Sequence, residues 1–434
     1  MLKSKLVALG VTAVVVAGAF GAYAWRRPLP EMTADARPAF DAATIEKGRV
    51  LASAGYCATC HTARGGAPMA GNYPMVTDFG TIYASNLTPD PDTGIGTWSP
   101  EAFRRAMHDG VDRQGRRLFP AFPFDHFTKM TDEDVDAIYA YLMTQVAPVK
   151  QETLPPTIPF PMNQRFLQAG WGLLFVDYGR FEPDPDQSDA WNRGAYLVEG
   201  VAHCGACHTP RNPLGAEKQD ELYGGAVIDS WTAPALTAAN PSALPWTAEE
   251  FTRYLKTGAG TYHGVATGPM GPVVHAGLRA LPDSDLEAIG TYLGDVVGAP
   301  AATPADNPAL QASVAAGQPD PMYRAETGER LYASSCASCH YNAFADTVSA
   351  ARPELGINSA IRMEDPANLI HVILDGVSAD AGSAGVVMPG YRDALGDDQI
   401  AAIAAYLRAS RTELAPWPDL PAQVATIRAH VGTH

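Results

Sequence analysis

The sequence has no cysteine to spare. Its 434 residues include six, and all six fall in three copies of one pattern. These are Cys57-Ala58-Thr59-Cys60-His61, Cys204-Gly205-Ala206-Cys207-His208 and Cys336-Ala337-Ser338-Cys339-His340. None is left for a structural disulfide or for a second zinc-binding pair. Positive charge is also short. The 31 Lys and Arg against 47 Asp and Glu give a formal net charge of −16, which argues against nucleic acid and against a generally basic membrane-binding surface. After one long apolar run near the start, no second run of spanning length follows. Strand patterns are weak, so the expected fold class is mainly α. The 40 Gly and 36 Pro point to many turns and long loops.

The repeated pattern has a mechanical reading. In c-type haem attachment two thiols form thioethers to the haem vinyl groups, and two intervening residues let both sulfurs reach one macrocycle from a single helical turn. The next residue, His, is carried under the iron as proximal ligand. Zinc needs four ligands, usually from two such pairs or from a pair with distant histidines, whereas each pair here stands alone. A thioredoxin-like redox site needs one pair in a βαβ setting. Three copies, each followed by His, therefore predict three covalent haems c. They are attached at Cys57, Cys60, Cys204, Cys207, Cys336 and Cys339, with His61, His208 and His340 on the irons.

The repetition extends beyond the motifs, with a period of roughly 140 residues. Each copy opens with an amphipathic stretch holding Gly48, Gly194 or Gly328, a small residue suited either to close helix approach or to a turn. Each closes with a helix: "TDEDVDAIYAYL", "PDSDLEAIGTYL" or "GDDQIAAIAAYL". Apolar residues recur there at helical spacing, and acidic residues crowd the first turn, where the dipole favours them. Between lie "SPEAFRRAMHDG", "TAEEFTRYLKTG" and "DPANLIHVILDG". Ser99, Thr247 and Asp365 are the expected N-caps, and Gly110, Gly258 and Gly376 the expected stops. Proline-rich stretches at 147–161 and 298–321 read as extended, loosely packed linkers. An added helix, "QRFLQAGWGLLF", leads into the second copy. The expected domains are 40–150, 162–297 and 322–412, after an N-terminal segment at 1–27.

A proximal His alone leaves iron open to peroxide or oxygen, whereas Met as second ligand closes the site and raises the potential, as electron transfer requires. Each copy should offer a Met between its motif and its last helix. Met388 in "VVMPGYRD" and Met270 in "TGPMGPVV" fit. In the first copy the position analogous to Met388-Pro389 is Phe122-Pro123, and Met130, just before the last helix, is the candidate, with His126 as rival. Met107 and Met143 lie within helices and read as packing residues. His203, His263, His275 and His371 read as ordinary loop or surface residues. No residue is expected to be catalytic.

At the N-terminus, Lys3 and Lys5 precede the apolar run 6–25, and Arg26 and Arg27 close it. A secretory signal would be shorter, with Ala22-Tyr23-Ala24 as cleavage site, and would leave a periplasmic protein. A membrane anchor needs about 20 apolar residues, and the run has that length. The reading taken is an uncleaved anchor holding the chain at the periplasmic face of a bacterial plasma membrane.

The stretches "GTIYASNLTPDPDTGIGTWS", "FPAFPFDHFTKMTDEDVDAIYAYL", "WNRGAYLVEGVAHCGACHTPRN", "GPMGPVVH" and "MPGYRD" together resemble the membrane-bound three-haem cytochrome c subunits of bacterial periplasmic dehydrogenases for alcohol, gluconate, sorbitol, fructose and some aldehydes. The resemblance covers nearly all of the chain after the apolar run. It implies three tandem cytochrome c-type domains and a large catalytic partner carrying PQQ, FAD or a molybdenum cofactor, with a possible small subunit. It also implies delivery of electrons to ubiquinone in the membrane; a further cytochrome or a downstream oxidase is the alternative acceptor. Some relatives have Met where this chain has Phe122. On this reading the chain is an electron-transfer subunit without bond chemistry of its own. The rival readings are a cytochrome c subunit of a terminal oxidase and a multihaem c-type peroxidase.

Overall fold

A computed structural model describes residues 2–298, 307–318, 326–349, 351–378 and 387–429. Part of the second linker and the expected boundary at 322 lie outside the described residues. Helix accounts for about half of the described residues, less than a mainly α reading expects. Two compact units are present: residues 1–182 with 199–203, and residues 183–198 with 204–434.

Within both units the same crossing recurs. The helix Ala42–Ala54 packs on Asp132–Gln145, Asp189–Tyr196 on Asp283–Val297, and Thr327–Ser335 on Asp397–Arg411. The matching glycines sit at the crossings. A Cβ on Gly48 would lie 1.8 Å from the Ala137 carbonyl oxygen, one on Gly194 2.0 Å from that of Ala288, and one on Gly328 2.2 Å from that of Ala402. The glycines are there for backbone contact between helices and not for turns.

The middle helices Pro100–Asp109 and Ala248–Thr257 start where expected. Ser99 accepts from Ala102 N and Thr247 from Glu250 N, so each cap satisfies a donor that the helix cannot. The third, Ala367–Asp375, is entered through Pro366, and Asp365 Oδ1 accepts from Ala367 N at 2.7 Å. Gly110 and Gly258 are left-handed, with φ of 61° and 81°, the conformation that ends a helix without Cβ strain, and Gly376 ends its helix with φ 72° and ψ −163°, a region open essentially to glycine alone.

Two antiparallel hairpins were not expected from the sequence pattern. Strands β1 (Pro74–Thr77) and β2 (Gly80–Tyr83) pair Thr77 with Gly80, and β3 (Ala226–Ile228) and β4 (Trp231–Ala233) pair Ile228 with Trp231. The second turn, Asp229-Ser230, has positive φ at both residues, which suits a two-residue hairpin loop. Strands this short carry too little alternation to stand out from a loop.

The linkers also differ from expectation. The first is extended but strapped down: Thr157 N donates to Thr81 O at 2.9 Å, Asn72 Nδ2 to Glu152 O at 2.9 Å, and Asn86 Nδ2 to Val149 O at 2.8 Å. The second contains a helix, Pro308–Ala316, whose Leu310 and Val314 pack with Leu244, Val348 and Ile357. Its Ser313 donates to Glu354 at 2.8 Å, and Glu354 pairs with Arg411 at 3.0 Å, both side chains about 1% exposed. The helix Gln168–Phe175 belongs to the first unit, with Trp171 edge-on to Phe124 at 5.9 Å and Gly170 beside Phe20.

The N-terminal segment requires a correction. It forms the helix Leu2–Ala24, yet among the described residues no helix is long and apolar enough to cross a membrane. The valines and leucines are diluted by glycines, alanines and Thr12. The last turn is engaged in the first unit, with Ala24 buried and Arg117 stacked over the Tyr23 ring at 5.4 Å. The expected N-terminal membrane anchor, the apolar spanning helix ahead of the domains and the plasma-membrane location argued from them do not stand.

Candidate haem sites

The first motif forms one short helix, Cys57–His61, as does Gly205–His208 in the second and Ala337–His340 in the third. A single turn therefore presents each cysteine pair with its histidine. None of the six cysteines is in a disulfide. Burial, followed by the neighbouring cysteine, pushes the Cys57 and Cys204 thiols up to about 12 and Cys336 up to about 11, so they rest as neutral thiols.

Two of the three histidines are held as a metal ligand needs to be held. His61 Nδ1 lies 2.7 Å from the Ser85 carbonyl and His208 Nδ1 2.7 Å from that of Pro234. A carbonyl only accepts, so Nδ1 carries the proton and the Nε2 lone pair is left for a metal, with the ring fixed in orientation. Burial lowers both histidine pKa values, only partly offset by these hydrogen bonds, which keeps the imidazoles neutral. His340 Nδ1 faces the Pro353 carbonyl but falls outside hydrogen-bond geometry; burial lowers its pKa as well. Neutral thiols and an oriented, neutral imidazole on one helical turn fit covalent haem. Sequence reasoning named the histidines but not the carbonyls behind them. The signal was present in the parallel stretches "YASNLT" and "TAPALT", which follow the two hairpins.

The candidate sixth ligands occupy different settings. Met130 is fully buried, with Gly200 against it. Met270 begins a short helical turn, Met270–Pro272, and is half-buried. Met388 is half-buried and exchanges backbone hydrogen bonds with Val377 at 2.9 and 3.0 Å. His126 Nδ1 is hydrogen-bonded to the Glu199 carbonyl at 2.8 Å, and Phe122 packs at a tilt against Phe127, with ring centroids 5.3 Å apart. Met107 and Met143 are buried within their helices.

Three histidines read as ordinary are not. His203 is buried, 2.7 Å from the Tyr56 hydroxyl, and each of these two residues immediately precedes a motif and has a left-handed backbone. His371 is buried and stacked. His263 is sandwiched between the Glu250 carboxylate at 2.8 Å and the Leu244 carbonyl at 3.1 Å. Burial raises the Glu250 carboxyl, but the hydrogen bonds from His263 and Thr261 and the His263 charge outweigh it and bring the group down to about 2. A depressed carboxyl stabilises the fold above its unfolded value of 4.5, and that stability is lost as pH falls towards 2. In Glu250→Gln the stability of the second unit should lose much of its slope across this acid window, as measured by urea unfolding at stepped pH.

One-turn cysteine pairs, each followed by a histidine that in the first two is oriented by a backbone carbonyl, define a c-type cytochrome that binds haem covalently. Residues 45–145 match the sequence model of cytochrome c, and residues 324–407 match that of cytochrome C oxidase, cbb3-type, subunit III. The chain is 36% identical to the fructose dehydrogenase cytochrome subunit of Gluconobacter japonicus, over 84% of this chain and 78% of that one. It is 37% identical to the gluconate 2-dehydrogenase cytochrome c subunit of Pantoea cypripedii, over 85% and 86%. It belongs to the family of dehydrogenase cytochrome c subunits, which are electron-transfer proteins. It is also 44% identical, over 96% of its length, to a nicotinate dehydrogenase subunit of Pseudomonas putida, but spans only 35% of that longer chain.

Proposed function

We propose that the chain carries three haems c in three domains, 40–150, 162–297 and 322–412. It passes electrons one at a time from a catalytic dehydrogenase subunit to ubiquinone or a downstream oxidase. The observation that carries the reading is the recurrence of one arrangement: a cysteine–histidine turn following a helix whose glycine is crossed by a closing helix. Haem supplies the one-electron chemistry; the protein sets its potential through ligands, burial and hydrogen bonds. Cys57 and Cys60, Cys204 and Cys207, and Cys336 and Cys339 would attach it. His61, His208 and His340 would bind the iron, with the Ser85 and Pro234 carbonyls raising the ligand basicity of the first two. Met130, Met270 and Met388 would be the second protein ligands and would exclude peroxide. The names of the relatives, cytochrome subunits of fructose and gluconate 2-dehydrogenases, support a catalytic dehydrogenase partner; that it is a large subunit carrying PQQ, FAD or a molybdenum cofactor, with or without a small subunit, is what the sequence resemblance adds.

The match of 324–407 to an oxidase component favours one second reading, a cytochrome feeding a terminal oxidase. Affinity purification of the tagged chain from detergent extracts, with mass spectrometry of what accompanies it, separates the two. A large dehydrogenase subunit in constant ratio is the expected result. Copper–haem oxidase subunits instead, or the chain alone with peroxidase turnover, would overturn the proposal.

A further inference from the structure

The hairpin of the second repeat carries a residue that the first lacks. Ile228 pairs with Trp231 where Thr77 pairs with Gly80. The Trp231 indole lies face to face with the His371 imidazole of the third repeat, with ring centroids 4.5 Å apart and planes 11° from parallel. Ser230 Oγ and His371 Nε2 share a hydrogen bond of 3.0 Å. The contact is locked by a reciprocal amide pair: Thr232 N donates to Asn368 Oδ1 and Asn368 Nδ2 donates to Thr232 O, both at 2.8 Å. His371 is 4% exposed, so the stack lies inside the second unit.

Each side of the stack leads to candidate axial ligands. On the Trp231 side, a Cβ on Gly268 would lie 2.5 Å from the indole, so the ring presses on the backbone just before Met270. A few residues beyond Trp231, Pro234 holds His208. On the His371 side, the Ile373 carbonyl accepts from Tyr391 N at 2.9 Å, just past Met388, and Val377 pairs with Met388 itself. The stack is therefore a noncovalent bridge from the ligand loops of one haem site to the ligand loop of the next.

We propose that the Trp231–His371 stack couples the second and third haem sites and is a path by which an electron passes between them. The inference rests on the three-haem reading. One ferrous iron loses the electron that one ferric iron gains; no bond forms or breaks and no proton moves. The two rings are not oxidised, and their overlapping π systems shorten the through-space gap that the electron must tunnel.

The test uses the full-length holoprotein and compares Trp231→Leu and His371→Leu with Trp231→Phe and His371→Phe. Haem adducts are counted by intact mass, the potentials by spectroelectrochemical titration, and interhaem relaxation after flash photoreduction. The expected result is relaxation several-fold slower in both leucine variants and close to the parent in both phenylalanine variants, with potentials unmoved. Unchanged relaxation in the leucine variants would overturn the coupling. So would equal slowing in the phenylalanine variants, or slowing fully accounted for by shifted potentials. Fewer than three haem adducts on the parent chain would instead overturn the reading beneath it.

Discussion

Gly194→Val is expected to unfold the crossing on which the second repeat is built. The new Cβ would lie 2.0 Å from the Ala288 carbonyl oxygen and 2.8 Å from the Tyr292 Cβ. Overpacking a core commonly costs about 1–3 kcal/mol, because side chains can yield. Here the obstacle is the backbone of a closing helix, and the helices must separate. The loss should fall in the exceptional class above about 4 kcal/mol. The haem proposed to attach at Cys204 and Cys207 should be lost or become labile with it. Gly48→Val and Gly328→Val should do the same to their own repeats. Gly179, with nothing within 4 Å of an added Cβ, supplies the control, since Gly179→Ala should stay within about 0.5 kcal/mol of the parent. Denaturant unfolding followed by tryptophan fluorescence and by haem absorbance reads both quantities, and a Gly194→Val midpoint equal to the parent's would remove the crossing from the account.

On the proposed ligand set, Met270→Ala should convert one haem to a high-spin, ligand-exchangeable form and lower its potential, while leaving the chain folded. Axial ligands command a range of about 0.8 V in haem proteins, and loss of a thioether sulfur moves the potential to the low side. Met270 is half-buried at the start of a single helical turn, so its truncation leaves the helix crossing intact. Met388→Ala should act alike on a second haem, and Met130→Ala on a third, with more loss of stability because Met130 is fully buried. Spin state by electron paramagnetic resonance and potential by redox titration are the readouts. A Met130→Ala variant that stays fully low-spin would hand the sixth position of the first haem to another group, and His126 is the first to examine.

The sequence revealed the parts of this protein that are periodic or chemically singular. Three cysteine–histidine turns, the helix caps at Ser99 and Thr247, the stops at Gly110, Gly258 and Gly376, and the closing helices were all legible, because each rests on local rules of spacing and capping. The crossing glycines were visible as a repeat, but their purpose needed the second helix, a contact far away in sequence. The hairpins were missed because three- or four-residue strands are too short to show a period of two. The helix Pro308–Ala316 was missed because a proline-rich setting hides a helix whose stability comes from burying Leu310 and Val314 against partners distant in sequence. His203, His263 and His371 looked like loop residues for the same reason: their partners are Tyr56, Glu250 and Trp231. At 6–25 the length of the apolar run suggests a span, while its glycines and alanines keep the helix short of the apolarity a span needs.

The most direct test of the account is the intact mass of the purified holoprotein, alongside variants in which each cysteine pair is replaced by alanine in turn. The account predicts a parent mass equal to the polypeptide plus three haems, and one haem fewer for each of Cys57→Ala/Cys60→Ala, Cys204→Ala/Cys207→Ala and Cys336→Ala/Cys339→Ala. A parent carrying two haems, or a pair whose removal leaves the haem count unchanged, would contradict it.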